Sequence, residues 1–348
     1  MLGNVTFNAR DGRYNEAMLV DSIPFQNNFN VIWQSESADS SKVLLAYTPV
    51  NNDNILGVLQ LNNTKNITFK KIGVQVKFPA VISSNTYISL VYLSKKNKNI
   101  RFISNQFIDS TYASLPNTNG SRFFYNYNAA PVNSRSMDSA LVLDRNYFLQ
   151  INLSTTPVMD LGGAAHVIFQ GYVVDAYLNN TVISNNIFDM KLFSKPGLVI
   201  TDADSVRITG NKLTGNVTVD GKDLVIMDKN EIYHEGYQQN AVTVTSTVGR
   251  AVNKPLIISN NNIQTVHVGS FNGTPVGCNN ALIIFGVRFT FIHNTIATND
   301  TVVLVSVSLL QLVYSTFVTL NNNLLYHVTC CFLLNPPPVP ILSHTTPF

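Results

Sequence analysis

A stack of short β-coils, a parallel β-helix, is the all-β architecture this sequence predicts, and three observations predict it. One small phrase, apolar-x-x-Asn-x-apolar, recurs along most of the 348 residues. Its copies are unevenly spaced, which a stack of strands and turns tolerates and a stack of paired helices does not. The composition also leans to strands and turns. Asn, Thr, Ser and Val are plentiful, 45% of residues are hydrophobic and only 12% are charged, against about 25% in ordinary globular chains.

The phrase is clearest in Ser205–Ile232, where Ile208-x-x-Asn211-x-Leu213 is followed by Met227-x-x-Asn230-x-Ile232. Upstream, Asn66-Ile-Thr-Phe-Lys-Lys-Ile72-Gly-Val74 aligns position for position with Asn99-Ile-Arg-Phe-Ile-Ser-Asn105-Gln-Phe107. The same slot falls at Asn146, Asn185, Asn211, Asn230, Asn261 and Asn294, with a looser copy at Asn322. Successive slots lie between 19 and 41 residues apart. The expected role of the Asn is a tight turn between two sheets. It tolerates the left-handed conformation, and in coils stacked about 4.8 Å apart its amide can bond its equivalent in the next coil. The flanking apolar residues then point inward.

Residues 1–30 show no clear copy and are expected to cap the stack. Val31–Val50 reads as two strands parted by a polar turn, and the solenoid is expected to fill 31–333. Leu115–Ser136 and Gly269–Asn280 look like loops leaving it. The tail 334–348 holds four prolines within five positions (Pro336, Pro337, Pro338, Pro340). Proline cannot extend a ladder, so the tail is expected to strap the last coil or to exit towards a partner or a following domain. Thr301–Tyr326 carries no charge and is long enough to span a bilayer. Its β-branched residues, its Ser and Gln content and its run into the repeat phrase favour buried strands.

Phrases such as NITFKK, RITGNKL and IISNNNI resemble those of the right-handed parallel β-helix of the pectate-lyase-like superfamily, over roughly residues 55–330. The resemblance implies a right-handed coil. For chemistry it implies little. The Asn-Thr-Asp, Asp-Asp, Gly-His-Gly and Arg-Ile-Lys motifs of the polygalacturonase-like hydrolases are missing, the nearest match being Val206-Arg207-Ile208-Thr209. The calcium-dependent lyase branch needs clustered aspartates and an Arg base. Here Asp202, Asp204, Asp220, Asp223 and Asp228 lie near Arg207, and Asp202 and Asp204 share a face if extended. Coil-edge and turn positions account for them better, Asp220-Gly221 being a turn signal.

The net charge of +3 and the single short patch Lys95–Lys98 speak against nucleic acid as a partner. Three cysteines, Cys278, Cys330 and Cys331, form no metal spacing and no disulfide framework. Nine Asn-x-Ser/Thr sequons, among them Asn4, Asn66, Asn152, Asn216 and Asn299, are about what chance gives at this Asn content. No basic-then-apolar leader is visible at the N-terminus. His293 reads as a turn residue, His267 as solvent-facing, and Tyr233-His234-Glu235 as polar and exposed. Sugar binding needs aromatic faces beside amides and carboxylates, and Phe123-Phe124-Tyr125-Asn126-Tyr127-Asn128 offers that mixture within a presumed loop.

The expectation is therefore a non-enzymatic structural or adhesive protein of an extracellular, cell-surface or virion setting, with glycans as candidate partners. It carries no catalytic residue, metal or cofactor. A polysaccharide lyase or hydrolase with an unusual acidic site is the alternative, and a β-helix segment of a membrane-anchored or virion protein is the third. Side-by-side homo-oligomers are compatible with the shape.

Overall fold

The computed structural model describes residues 3–22, 29–50, 55–77, 88–94, 97–111, 121–127, 138–152, 167–170, 178–189, 196–235, 241–246, 256–266, 270–271, 274–275, 280–285, 288–300, 308–313 and 317–329. Among them the chain is all strand and turn, wound as a right-handed parallel β-helix. Strands fall into a 21-stranded and an 11-stranded sheet, and every pairing within these two is parallel. The larger sheet bends round a corner, because Pro196–Thr209 and Asn216–Asp228 each run through it as one strand with register shifts at the bend. Each coil therefore has three sides, called here the first, second and third in chain order. The third side is the 11-stranded sheet, with one strand per coil, so eleven coils are described. At about 4.8 Å per coil the stack is roughly 50 Å long.

The aligned phrases stack as aligned. Ile67 lies over Ile100, Phe69 over Phe102 and Val74 over Phe107. All six are essentially buried. The apolar positions of the phrase thus become continuous inner columns.

The Asn slot forms a ladder, with two corrections. Its members are Asn105, Asn146, Asn186, Asn211, Asn230, Asn261, Asn294 and Asn323. Asn186 and Asn323 take the places expected for Asn185 and Asn322. The left-handed residue is also a different one. It precedes the slot, as Lys71 before Ile72 and as Ser104, Arg145, Asn185, Gly210, Lys229, Asn260, His293 and Asn322 before the ladder asparagines, with φ of 49–66°. The turn takes almost any side chain at that exposed position, whereas the next residue is committed to bonding.

That bonding explains why Asn fills the slot from Asn105 to Asn323. Asn146 Nδ2 donates to Asn186 Oδ1 at 3.0 Å and to the Phe102 carbonyl at 2.9 Å. Its Oδ1 accepts from the Asn105 backbone N–H at 2.9 Å and from Asn105 Nδ2 at 3.2 Å. Both donors and both lone pairs of a buried amide are used. Asp would lack the donors and Leu would orphan a backbone N–H. Before the first rung, the Ile72 backbone N–H already donates to Asn105 Oδ1 at 3.0 Å.

The described part of the expected cap is itself a coil. Val5–Ala9 pairs with Val31–Ser35, Gly12–Tyr14 with Val43–Leu45, and Met18–Asp21 with Leu59–Asn62. The stretch Ser121–Tyr127, read as loop, is a strand of the first side lying between Ile88–Ser94 and Val167–Gln170. Within Gly269–Asn280, Ser270–Phe271 and Thr274–Pro275 form a small antiparallel hairpin. The described parts of Thr301–Tyr326 are strands in register with the coil before. Among the described residues no helix is long and apolar enough to cross a membrane. The tail 334–348, the three cysteines and His267 lie outside the described residues.

Candidate functional site

The acidic stretch does not converge. Asp220 faces outward from the first side, in register with Thr245. Asp228 faces outward from the second side, in register with Thr209 and Ser259. The corner Gly221–Leu224 separates them. Asp228 Oδ1 is held by Ser259 Oγ at 2.7 Å and by Asn260 Nδ2 at 2.7 Å. The same clasp occurs at Asp144, whose Oδ1 takes Ser184 Oγ at 2.8 Å and Asn185 Nδ2 at 3.0 Å, while Arg145 Nε meets Oδ2 at 2.8 Å.

Burial alone would raise the Asp144 carboxyl. The bonds from Asn185, Ser184 and Arg145, with the guanidinium charge, outweigh it and hold the group below its ordinary range. Repetition at two coils marks the clasp as a stitch between neighbouring coils. Arg207 is exposed on the second side. The side chains of Asp202, Asp204 and Asp223 are outside the described set. Among the described residues no group of three His, Cys, Asp or Glu could hold a metal ion.

His234 overturns its expected exposure. Strand Glu231–Glu235 alternates, and His234 falls on the same inward side as Ile232. It is 1% exposed, neither ring nitrogen has a partner among the described residues, and burial pushes its pKa down to about 4. It stands in an inner column beside Thr265. The clue in the sequence was the alternation with Ile232. His293 occupies a left-handed turn position, as expected, with φ of 54°.

An aromatic and amide strip forms on the outer face of the first side. Register places Leu19, Gln60, Tyr92 and Tyr125 in one outward column, and Asp21, Asn62 and Ser94 in the column beside it. The Tyr92 and Tyr125 rings lie 5.9 Å apart at 45°. Ser94 Oγ donates to Asn62 Oδ1 at 2.8 Å. Tyr125 and Gln60 are partly exposed and Leu19 is 61% exposed, while Tyr92 is covered at 9% and backs the Tyr125 ring. Gly57 makes room for this arrangement, since a Cβ there would meet Tyr92 Cβ at 2.7 Å. Of the stretch proposed from sequence for sugar contact, Phe123 and Phe124 are fully buried and Tyr125 joins the strip. Tyr92, Gln60 and Asn62 were missed, because only the register between coils brings them to Tyr125.

A second outward strip crosses the third side. Tyr147 Oη donates to Asp189 Oδ2 at 2.8 Å, and burial together with that carboxylate raises the tyrosine pKa. Lys212 and Glu231, both well exposed, pair at 3.1 Å, a contact of little energetic weight.

These features define a right-handed parallel β-helix with an Asn ladder and an outward tyrosine–amide strip. No family model matches the sequence, and no curated protein does. Among solved structures the A-module of the mannuronan C-5 epimerase AlgE4 from Azotobacter vinelandii is similar, at 11% identity over 95% of this chain and 89% of that one, with a TM-score of 0.29. The fold assignment stands on the strand register itself, and the likeness carries nothing about activity.

Proposed function

We propose that this protein is a non-enzymatic β-helical rod of an extracellular, cell or virion surface, which engages glycan chains through the outer face of its first side. The observation behind the proposal is the partly exposed Tyr125, backed by the covered Tyr92 ring and flanked by Gln60, Asn62 and Ser94 on neighbouring coils. Aromatic rings offer faces to the C–H surfaces of a sugar, and side-chain amides and hydroxyls offer donors and acceptors to its hydroxyls. Repetition at coil spacing suits a linear polymer lying along the rod. The placement of Asp220 and Asp228 on different sides of the coil weighs against a paired-carboxylate cleavage site at the acidic stretch.

The test is a panel of polysaccharides, followed for both retention and new chain ends. The proposal expects retention without new ends, weakened about tenfold by Tyr125→Ala and by Gln60→Ala, a change of about 1.4 kcal/mol each. Retention indifferent to both substitutions would move the contact elsewhere on the rod. New chain ends lost on Asp228→Asn would make the protein an enzyme and end the reading.

A further inference from the structure

The hydrophobic columns do not close at the last described coil. Val318 continues the column of Phe289, Leu320 that of Phe291, and Leu325 that of Ile296. One coil earlier these positions are sealed, with Phe289 and Phe291 1% exposed and Ile296 fully buried. At the last coil the same columns are 37%, 52% and 41% exposed. Side chains that face the core by register thus face outward along the axis.

The ladder stops there too. Asn323 Oδ1 accepts from Asn294, and Asn323 Nδ2 donates to the Phe291 carbonyl. Its backbone N–H is the group that meets the next Asn in every earlier rung, and among the described residues no further rung follows. An open core end whose strand edges meet no further strand among the described residues is a template for association with other chains.

Residues 330–348 leave directly from the last strand, Leu324–Thr329. They carry no Asp, Glu, Lys or Arg, and they include Phe332, Leu333, Leu334, Val339, Ile341 and Leu342. Such a segment does not have the charge that keeps a chain solvated and apart. At about 3.1 Å per residue in polyproline II form it reaches roughly 60 Å, against about 20 Å for one side of a coil. Its four clustered prolines have no N–H to donate. Seated on the end, it would present no new ladder edge.

We infer that the open core end formed by Val318, Leu320 and Leu325 is the seat of the chain's own segment 330–348. That segment closes the hydrophobic columns and ends strand addition at the same time. The inference is independent of what the tyrosine strip binds.

Hydrogen exchange on the full chain at low concentration tests it, alongside a chain ending at Thr329. Seating expects protected amides at 339 and 341–343. It also expects exchange in 317–329 to quicken about tenfold in the shortened chain, with increased binding of an apolar dye. Tail amides exchanging at the rate of an unstructured peptide would overturn the inference. Unchanged protection of 317–329 after shortening would overturn it as well. Protection of 317–329 that rises with protein concentration together with a sedimenting dimer would assign the surface to a second copy instead. If the shortened chain does not fold, the full-length Ile341→Asp/Leu342→Asp protein is read in the same way.

Discussion

Two stretches of the rod fill their interiors differently while turning the same corner. Between Phe69 and Phe188 the core is aromatic. Phe107, Phe148 and Phe188 stack at 5.0 and 4.4 Å with near-parallel rings. Phe102 and Phe124 meet edge to face at 4.9 Å. From Leu198 to Ile232 the buried hydrophobic positions are instead Leu, Ile, Val and Met. The ladder spacing differs in parallel, at 41 and 40 residues in the aromatic coils and 25 and 19 in the aliphatic ones. Yet the rungs are alike, at 3.2, 3.0, 3.0 and 3.0 Å. One fully bonded corner therefore keeps coils in register whatever fills them or loops out of them. Core content and coil length vary without reaching the turn.

The largest expected effect lies in the aromatic stretch. Phe148 stacks on Phe107 and Phe188, and Phe123 and Phe124 abut its edge. Phe148→Ala should cost about 4 to 5 kcal/mol in chemical denaturation, whereas Ile232→Val in the aliphatic stretch should cost about 1 kcal/mol. A Phe148→Ala loss no larger than that of Ile232→Val would show that the aromatic coils collapse around the missing ring.

Next come the rungs. Asn186→Leu and Asn211→Leu each orphan a buried backbone N–H and a buried amide donor on the coil before. At about 1 to 3 kcal/mol per orphan, each substitution should cost roughly 3 to 4 kcal/mol, the same in both stretches. A much smaller loss in either would show that the corner there is held by its backbone bonds alone.

The smallest effect separates the stretches by pH. The His234 pKa falls from an ordinary 6.5 to about 4 on folding. Its contribution is complete above pH 6.5 and is lost as pH falls from 6.5 towards 4, because the unfolded chain takes up the proton first. The shift is worth up to about 3 kcal/mol. His234→Leu should flatten that part of the stability profile. An unchanged slope would place the acid sensitivity in another group.

The sequence made the register legible where the phrase stood alone, as at Ile67 and Ile100, and blurred it where Asn ran in series. In Val182–Ile187 and Thr319–Leu324 neighbouring asparagines suit both the left-handed position and the rung. Composition cannot choose between them, and only the inward partners Phe188 and Leu325 do. The same inward alternation with Ile232 would have placed His234 in the core. The tyrosine strip was legible only as far as Tyr125. Its other members come from coils more than thirty residues upstream, and which residues share a face there depends on how each intervening loop spends its length.

The third side carries a consequence for how such a rod breaks. Among the described residues most coil junctions there are joined by three to six register pairs, but Ile187–Asp189 meets Lys212–Thr214 through the single pair Ile187–Lys212. Coils pulled along the axis act as links in series, and the weakest link sets the failure. Under tension, the rod should part first between Asn186 and Asn211, leaving an aromatic fragment and an aliphatic one.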